Sequence, residues 1–211
     1  MSTSPSPLVA HLHVARMTPY SARSGGSDHE VWALYTWNAQ LSSAFQEMLS
    51  FVEVSLRNAV DPHLRSWNQG HNGKDTWLRN PAAPLDQLVT YNTRQELKKQ
   101  AEMARKRRAA LHPRKQAPIS HDDWLANTSF GFWRGLFPGA QQPAGVLKTT
   151  SSLWSGAVSG AFPNLRQDPH GYATGDRVRR LHSLRNRVAH MENLLDIDVD
   201  ARLRDAVQLV N

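Results

Sequence analysis

"NAQLSSAFQEMLSFVEVSLRNAV", residues 38–60, places Leu41, Phe45, Met48, Val52, Leu56 and Ala59 at intervals of three or four. At 3.6 residues per turn, that interval puts all six on one side of a long amphipathic α-helix. Strand-like alternation persists nowhere beyond four or five residues, and no internal repeat is present. The fold class that follows is all-α. Its simplest architecture is a bundle of four to six helices carrying helical and loop insertions.

Upstream, Ser27 with Glu30 three residues on has the form of a capping box, so order is expected to begin at "SDHE". Residues 1–26 are rich in Ser, Pro and Gly and contain no acidic residue, which predicts a disordered tail ahead of a single domain at 27–211. Downstream, Pro62 is expected to end or kink the long helix, and "NQGHNGKD" to form a loop. Leu85, Leu88, Val89, Leu97, Ala101 and Ala104 predict a second helix, running on into the basic stretch "KKQAEMARKRRAALHPRK". Ser120 with Asp123 marks another helix start, and Ser129 is a candidate cap for the aromatic stretch "FGFWRGLF". Residues 138–173 read as loop around one weakly apolar segment. Two final helices are expected at about 175–193 and 199–210, the second capped by Asp198 or Asp200.

Composition narrows the function classes. The chain has 211 residues and a net charge of +7, with 40% hydrophobic residues. It has no apolar run of membrane-spanning length, so no membrane partner is expected. The absence of cysteine excludes disulfides, thiolate metal sites and cysteine nucleophiles, and fits a cytoplasmic location. The excess of Lys and Arg points to a polyanion partner, because clustered cations gain affinity by releasing phosphate counterions. Lys98, Lys99, Arg105, Lys106, Arg107 and Arg108 are the densest such cluster and the leading candidate for nonspecific RNA contact.

A more specific signal lies in "LHSLRNRVAHMENLL", residues 181–195. An arginine followed five places later by a histidine also occurs at Arg107/His112 and Arg177/His182, so spacing alone says little. Here, however, Val178, Leu181, Leu184, Val188, Met191 and Leu195 form one apolar stripe, with His182, Asn186 and His190 in a row on the opposite side and Arg185 on the flank. One reading is the wet face of an amphipathic helix. The other is cleavage of RNA. A neutral histidine can take the ribose 2′-hydroxyl proton, an arginine fork can hold the scissile phosphate, and an asparagine amide can orient either. Such chemistry leaves a 2′,3′-cyclic phosphate and needs no cofactor or metal. Two such faces packed about a two-fold axis would bring two copies of the set over one groove.

"LRNRVAHMENLL" resembles the Arg-polar-x-x-x-His signature of HEPN (higher eukaryotes and prokaryotes nucleotide-binding) domains. "LYTWNAQLSSAFQEMLSFVEVSLRNAV" and "WLANTSFGFWRGLF" resemble two further segments of the Abi-like, abortive-infection branch. Together the three span residues 34–195. The resemblance implies a HEPN-like helical bundle that dimerises, with metal-independent ribonuclease activity used in antiphage defence or as a toxin. It assigns Arg185 and His190 to the catalytic pair and Asn186 to the polar position. It assigns Glu53, Arg57 and Asn58 to an N-terminal motif, where an i, i+4 ion pair that only stabilises its helix is the competing role. It assigns Ser129, Phe130, Gly131 and Trp133 to an aromatic motif that packs on the final helices. RNA, a second copy of the chain and an antitoxin or regulatory protein are the partners it allows. A noncatalytic RNA-binding or protein-interaction HEPN module is the alternative.

Overall fold

The computed structural model describes residues 12–25, 27–165 and 167–210. Among them are eight α-helices and no strand: α1 (Val14–Ser21), α2 (Asp28–Asn72), α3 (Tyr91–Arg107), α4 (His121–Leu125), α5 (Phe130–Arg134), α6 (Ala144–Gly156), α7 (Tyr172–Ala189) and α8 (Val199–Val210). Two 3₁₀ turns, Leu85–Gln87 and Val158–Ala161, join them.

Helix α2 is the axis of the molecule. Its 45 residues rise roughly 68 Å at 1.5 Å per residue, and α1, α5, α7, α8 and the second 3₁₀ turn all pack against it. Of the expected stripe Phe45, Val52 and Leu56 are buried and Leu41, Met48 and Ala59 are half-buried, while Leu49, Val60 and Leu64 complete the face in one continuous core with Trp77, Trp133, Leu153, Leu181 and Leu209. Ser27 caps the helix by accepting from the Glu30 N–H at 3.2 Å. The Glu30 carboxylate turns back one stage further than a capping box would place it and accepts from Gly25 N at 2.8 Å.

Pro62 neither ends nor kinks α2 into a new element; the helix continues to Asn72. Both Pro62 and Asn58, whose carbonyl loses its helical donor, lie on the exposed side, so water can satisfy that carbonyl. Val60 and Leu64, on either side, are fully buried and hold the two halves in line. The expected "NQGHNGKD" loop therefore begins only at Gly73, which ends the helix in the left-handed conformation (φ 73°). Buried Asn68 organises the loop. Its Nδ2 donates to the carbonyls of Lys74 (2.6 Å) and Asn80 (3.0 Å), and its Oδ1 accepts from Ala82 N at 2.7 Å.

Three further expectations are corrected. Part of the presumed tail is ordered: α1 buries Met17 and Tyr20 against Val31, with Leu34, Tyr35 and Leu195 beside them; residues 1–11 and 26 lie outside the described residues. The basic helix stops at Arg107, because Arg108 adopts an extended ψ of 139°. From there Arg108 and Arg114 converge on Asp123, while Lys115 Nζ donates back to the carbonyls of Lys106 and Arg108. The weakly apolar segment expected within the loop signals of 138–173 forms a regular helix, α6, over Ala144–Gly156. Its polar Thr149 and Thr150 are buried because they donate to Gln87 Oε1 (2.8 Å) and Gln142 Oε1 (3.0 Å).

The caps at Ser120, Ser129 and Asp198 are present as expected. Buried Asp61 ties α2 to the elements beyond it, accepting from Trp77 Nε1 at 2.7 Å and meeting His121 Nε2 at 2.8 Å. Helix α7 passes so close to the 138 turn that a Cβ on Gly175 would stand 1.9 Å from the Pro138 carbonyl oxygen. Only glycine fits there.

Candidate functional site

Val178, Leu181, Leu184 and Val188 seat α7 in the core, each under 5% exposed. The opposite row emerges as expected, with His182, Arg185 and Asn186 half-buried and His190 exposed. The helix does not run on to residue 193. It ends at Ala189, so His190 is its C-cap (φ −92°, ψ 7°) and Met191 is left-handed (φ 53°). The physical reason is that the apolar stripe stops at Val188: Met191 is 46% exposed, and Leu194, not Leu195, fills the next core position. His190 thus sits at the rim of a helix end and not within an unbroken helix.

Two elements fix the turn beyond it. Asn38 of α2, 2% exposed, accepts from Leu194 N at 2.6 Å and donates to Glu192 O at 3.4 Å. This gives Asn38, nearly three turns into the long helix, a job: its amide pins the chain just past His190. From the other side α1 reaches over. Arg16 Nη1 donates to Met191 O at 2.9 Å, and Arg23 donates to Leu195 O at 3.3 Å and pairs with Asp196. Between α1 and the turn lies an open cleft of about 450 Å³, lined among others by His13, Arg16, Tyr20, His190 and Glu192.

Glu53 and Arg57 form the expected i, i+4 pair at 3.2 Å, with side chains only 20% and 16% exposed. Arg57 Nη2 also donates to Thr128 O at 3.3 Å. The pair therefore braces the turn into α5, and Trp133 Nε1 donates to Thr128 Oγ1 at 2.9 Å from within the core. The aromatic motif packs on α7 as the resemblance implies: the Phe130 ring meets the His182 ring edge-on at 6.0 Å. Glu53 and Arg57 thus reach α7 through α5, while Asn58 points to solvent.

His182 is the residue that spacing undervalued. Its imidazole lies over Gly131, where an added Cβ would stand 3.1 Å from Nε2, and 3.5 Å from the Asn186 amide. Burial pushes its pKa below the ordinary histidine value, and the nearby positive charges of Arg134 and Arg185 push the same way. The available signal was that Arg177/His182 repeats the Arg/His spacing eight residues, about two turns, upstream.

Of the basic cluster, Lys98, Lys99, Lys106 and Arg107 are exposed on α3 and Arg105 is half-buried. Arg108 is withdrawn: its side chain is 15% exposed and paired with Asp123, so it is a structural residue and not a free phosphate ligand. Asp123 is itself mostly buried, which raises its pKa. The Ser120 N–H and hydroxyl and the Arg108 guanidinium outweigh that and leave the carboxyl below its ordinary value.

Among the described residues no group of three or more His, Asp or Glu converges as metal ligands would, and no helix is long and apolar enough to cross a membrane. Comparison with protein-family models, curated proteins and solved structures finds no match to this chain.

Proposed function

We propose that the chain is an endoribonuclease of the HEPN type, acting in antiphage defence or as a toxin. The observation that carries this reading is the presentation of Arg185, Asn186 and His190 at the end of α7. There Asn38 and Arg16 hold the following turn and leave His190 open to a cleft. In the proposed reaction the His190 imidazole takes the proton of a ribose 2′-hydroxyl. The 2′-oxygen attacks phosphorus, the 5′-oxygen of the next nucleotide leaves, and a 2′,3′-cyclic phosphate remains. Arg185 neutralises charge on the phosphoryl oxygens of the transition state and Asn186 orients the phosphate. Exposed Lys98, Lys99, Lys106 and Arg107 hold more distant RNA.

Five residues of helix separate Arg185 from His190 by roughly 7.5 Å of rise and about 140° of turn. Their side chains leave the helix in directions that far apart, which favours a homodimer whose two copies share each cleft. The same separation is the specific observation for a second reading, an RNA-binding module that does not cleave. One incubation of purified protein with end-labelled RNA in EDTA separates them. Products ending in 2′,3′-cyclic phosphate, lost in His190→Ala, support the nuclease; retention of RNA intact on the protein supports the module.

A further inference from the structure

Where α5 crosses α7, the charges of two arginines act on one histidine. Contact is made at Gly131 and His182, where a Cβ at residue 131 would stand 3.1 Å from Nε2 and push the imidazole by a few tenths of an ångström. One helical turn beyond the contact on each helix stands an arginine, Arg134 on α5 and Arg185 on α7, and His182 feels the positive charge of both. The other arginines of α7 are all engaged. Arg177 donates to Gln208, Arg179 pairs with Asp176, Arg180 with Asp205, and Arg187 with Glu192. Among the described residues, neither Arg134 nor Arg185 has a side-chain hydrogen bond or ion pair. Asn186 adds an amide beside the same ring.

Two unpaired guanidiniums held beside a half-buried imidazole repel one another, and among the described residues no carboxylate pairs with either. A cleft of about 240 Å³ opens next to Arg134, lined by Gly139, Gln141, Gln142 and Arg179; the one carboxylate there, Asp176, is taken by Arg179 at 3.2 Å. This row on α7 lies one to two turns upstream of His190 and apart from α3, which packs on α4 and whose Arg94 donates to the Arg79 carbonyl.

We propose that Arg134 and His182, adjoining Arg185 and Asn186 of the cutting set, form a subsite for a backbone phosphate of single-stranded RNA, bound beside the phosphate that is cut. It rests on the reading of the chain as an RNA-acting protein. Arg134 and His182 are binding and positioning residues, and Arg134 is the one that no sequence pattern singled out. His182 and His190, eight residues apart, are separated by roughly 12 Å of helix rise, so one strand laid along α7 can meet both.

The test uses the full chain and a fluorescein-labelled 12-nucleotide oligouridylate with 2′-O-methyl groups, which cannot be cleaved. Affinity is read by anisotropy from 50 to 300 mM KCl for wild type, Arg134→Gln, His182→Gln and, as a charge control, Arg204→Gln. Arg134 and Arg204 are both exposed, so neither change endangers the fold. Loss of one phosphate contact should weaken binding about 5- to 30-fold and lower the salt slope by about 0.7 for Arg134→Gln, with little change for Arg204→Gln. His182→Gln should weaken binding less. Unchanged affinity and slope in Arg134→Gln, or an equal loss in Arg204→Gln, would overturn the subsite, as would absence of binding by wild type. A parallel assay on unmodified RNA separates the two readings. If wild type cleaves and Arg134→Gln matches it in KM, the nuclease stands and the subsite falls; if Arg134→Gln loses binding but wild type never cleaves, the subsite stands and the nuclease falls.

Discussion

Replacing Asn38 with Ala should loosen the turn that presents His190 without touching the histidine. The Asn38 side chain makes two bonds to the chain after α7, a short one from Leu194 N (2.6 Å) and a long one to Glu192 O (3.4 Å). Leu194 is fully buried, so its N–H would be left without a partner, at a cost of about 1–3 kcal/mol. The long contact adds about 0.5 kcal/mol, and the better helix propensity of Ala returns a similar amount. The net loss is about 2 kcal/mol, or roughly 4–8 °C in Tm for a chain of this size. Urea denaturation measures the first quantity. Hydrogen exchange at Glu192–Leu194 reports whether the loss is local, and faster exchange there should accompany reduced RNA cleavage. A change below about 0.5 kcal/mol with unaltered exchange at Leu194 would refute the assignment of Asn38 as the clamp.

Asp61→Ala removes the shared acceptor of Trp77 Nε1 and His121 Nε2 and leaves two buried donors. Denaturation should show a loss of about 3–5 kcal/mol, the range for two orphaned groups plus a small void. Pro62→Ala should act in the opposite direction, raising stability by about 1–2 kcal/mol, because it restores a hydrogen bond to Asn58 O at an exposed helix interior position. For His182 the pH dependence has a definite sign. Its folded-state pKa lies below the unfolded value near 6.5, so the neutral ring is favoured on folding. Its contribution is complete above about pH 6.5 and is lost as pH falls through the lower folded value. The stability difference between wild type and His182→Gln should therefore shrink on acidification from pH 7.5 to 5; a flat or widening difference contradicts the placement of the ring.

Periodicity and capping chemistry made much of this fold readable. The Phe45–Leu56 stripe, the caps at Ser27, Ser120 and Ser129, and the Val178–Val188 face are all set by residues within a turn or two of one another. What escaped depends on partners far along the chain. Arg108 reads as part of a basic run until Asp123, fifteen residues on, withdraws it. Helix α1 has a weak pattern and a proline inside it, and forms because Met17 and Tyr20 find Val31. Pro62 is tolerated because Val60 and Leu64 are buried on both sides of it. In the candidate site the row on α7 was legible. The end of α7 at Ala189 and the meeting of Gly131 with His182 were not, because each is decided by packing between helices.

The most direct test of the nuclease reading is cleavage of labelled RNA by purified chain in EDTA, with wild type compared against His190→Ala and Arg185→Ala. The proposed mechanism predicts wild-type products ending in 2′,3′-cyclic phosphate and at least a hundredfold slower cleavage by either variant, from loss of the general base or of the phosphate clamp. Cleavage by His190→Ala at the wild-type rate would contradict it.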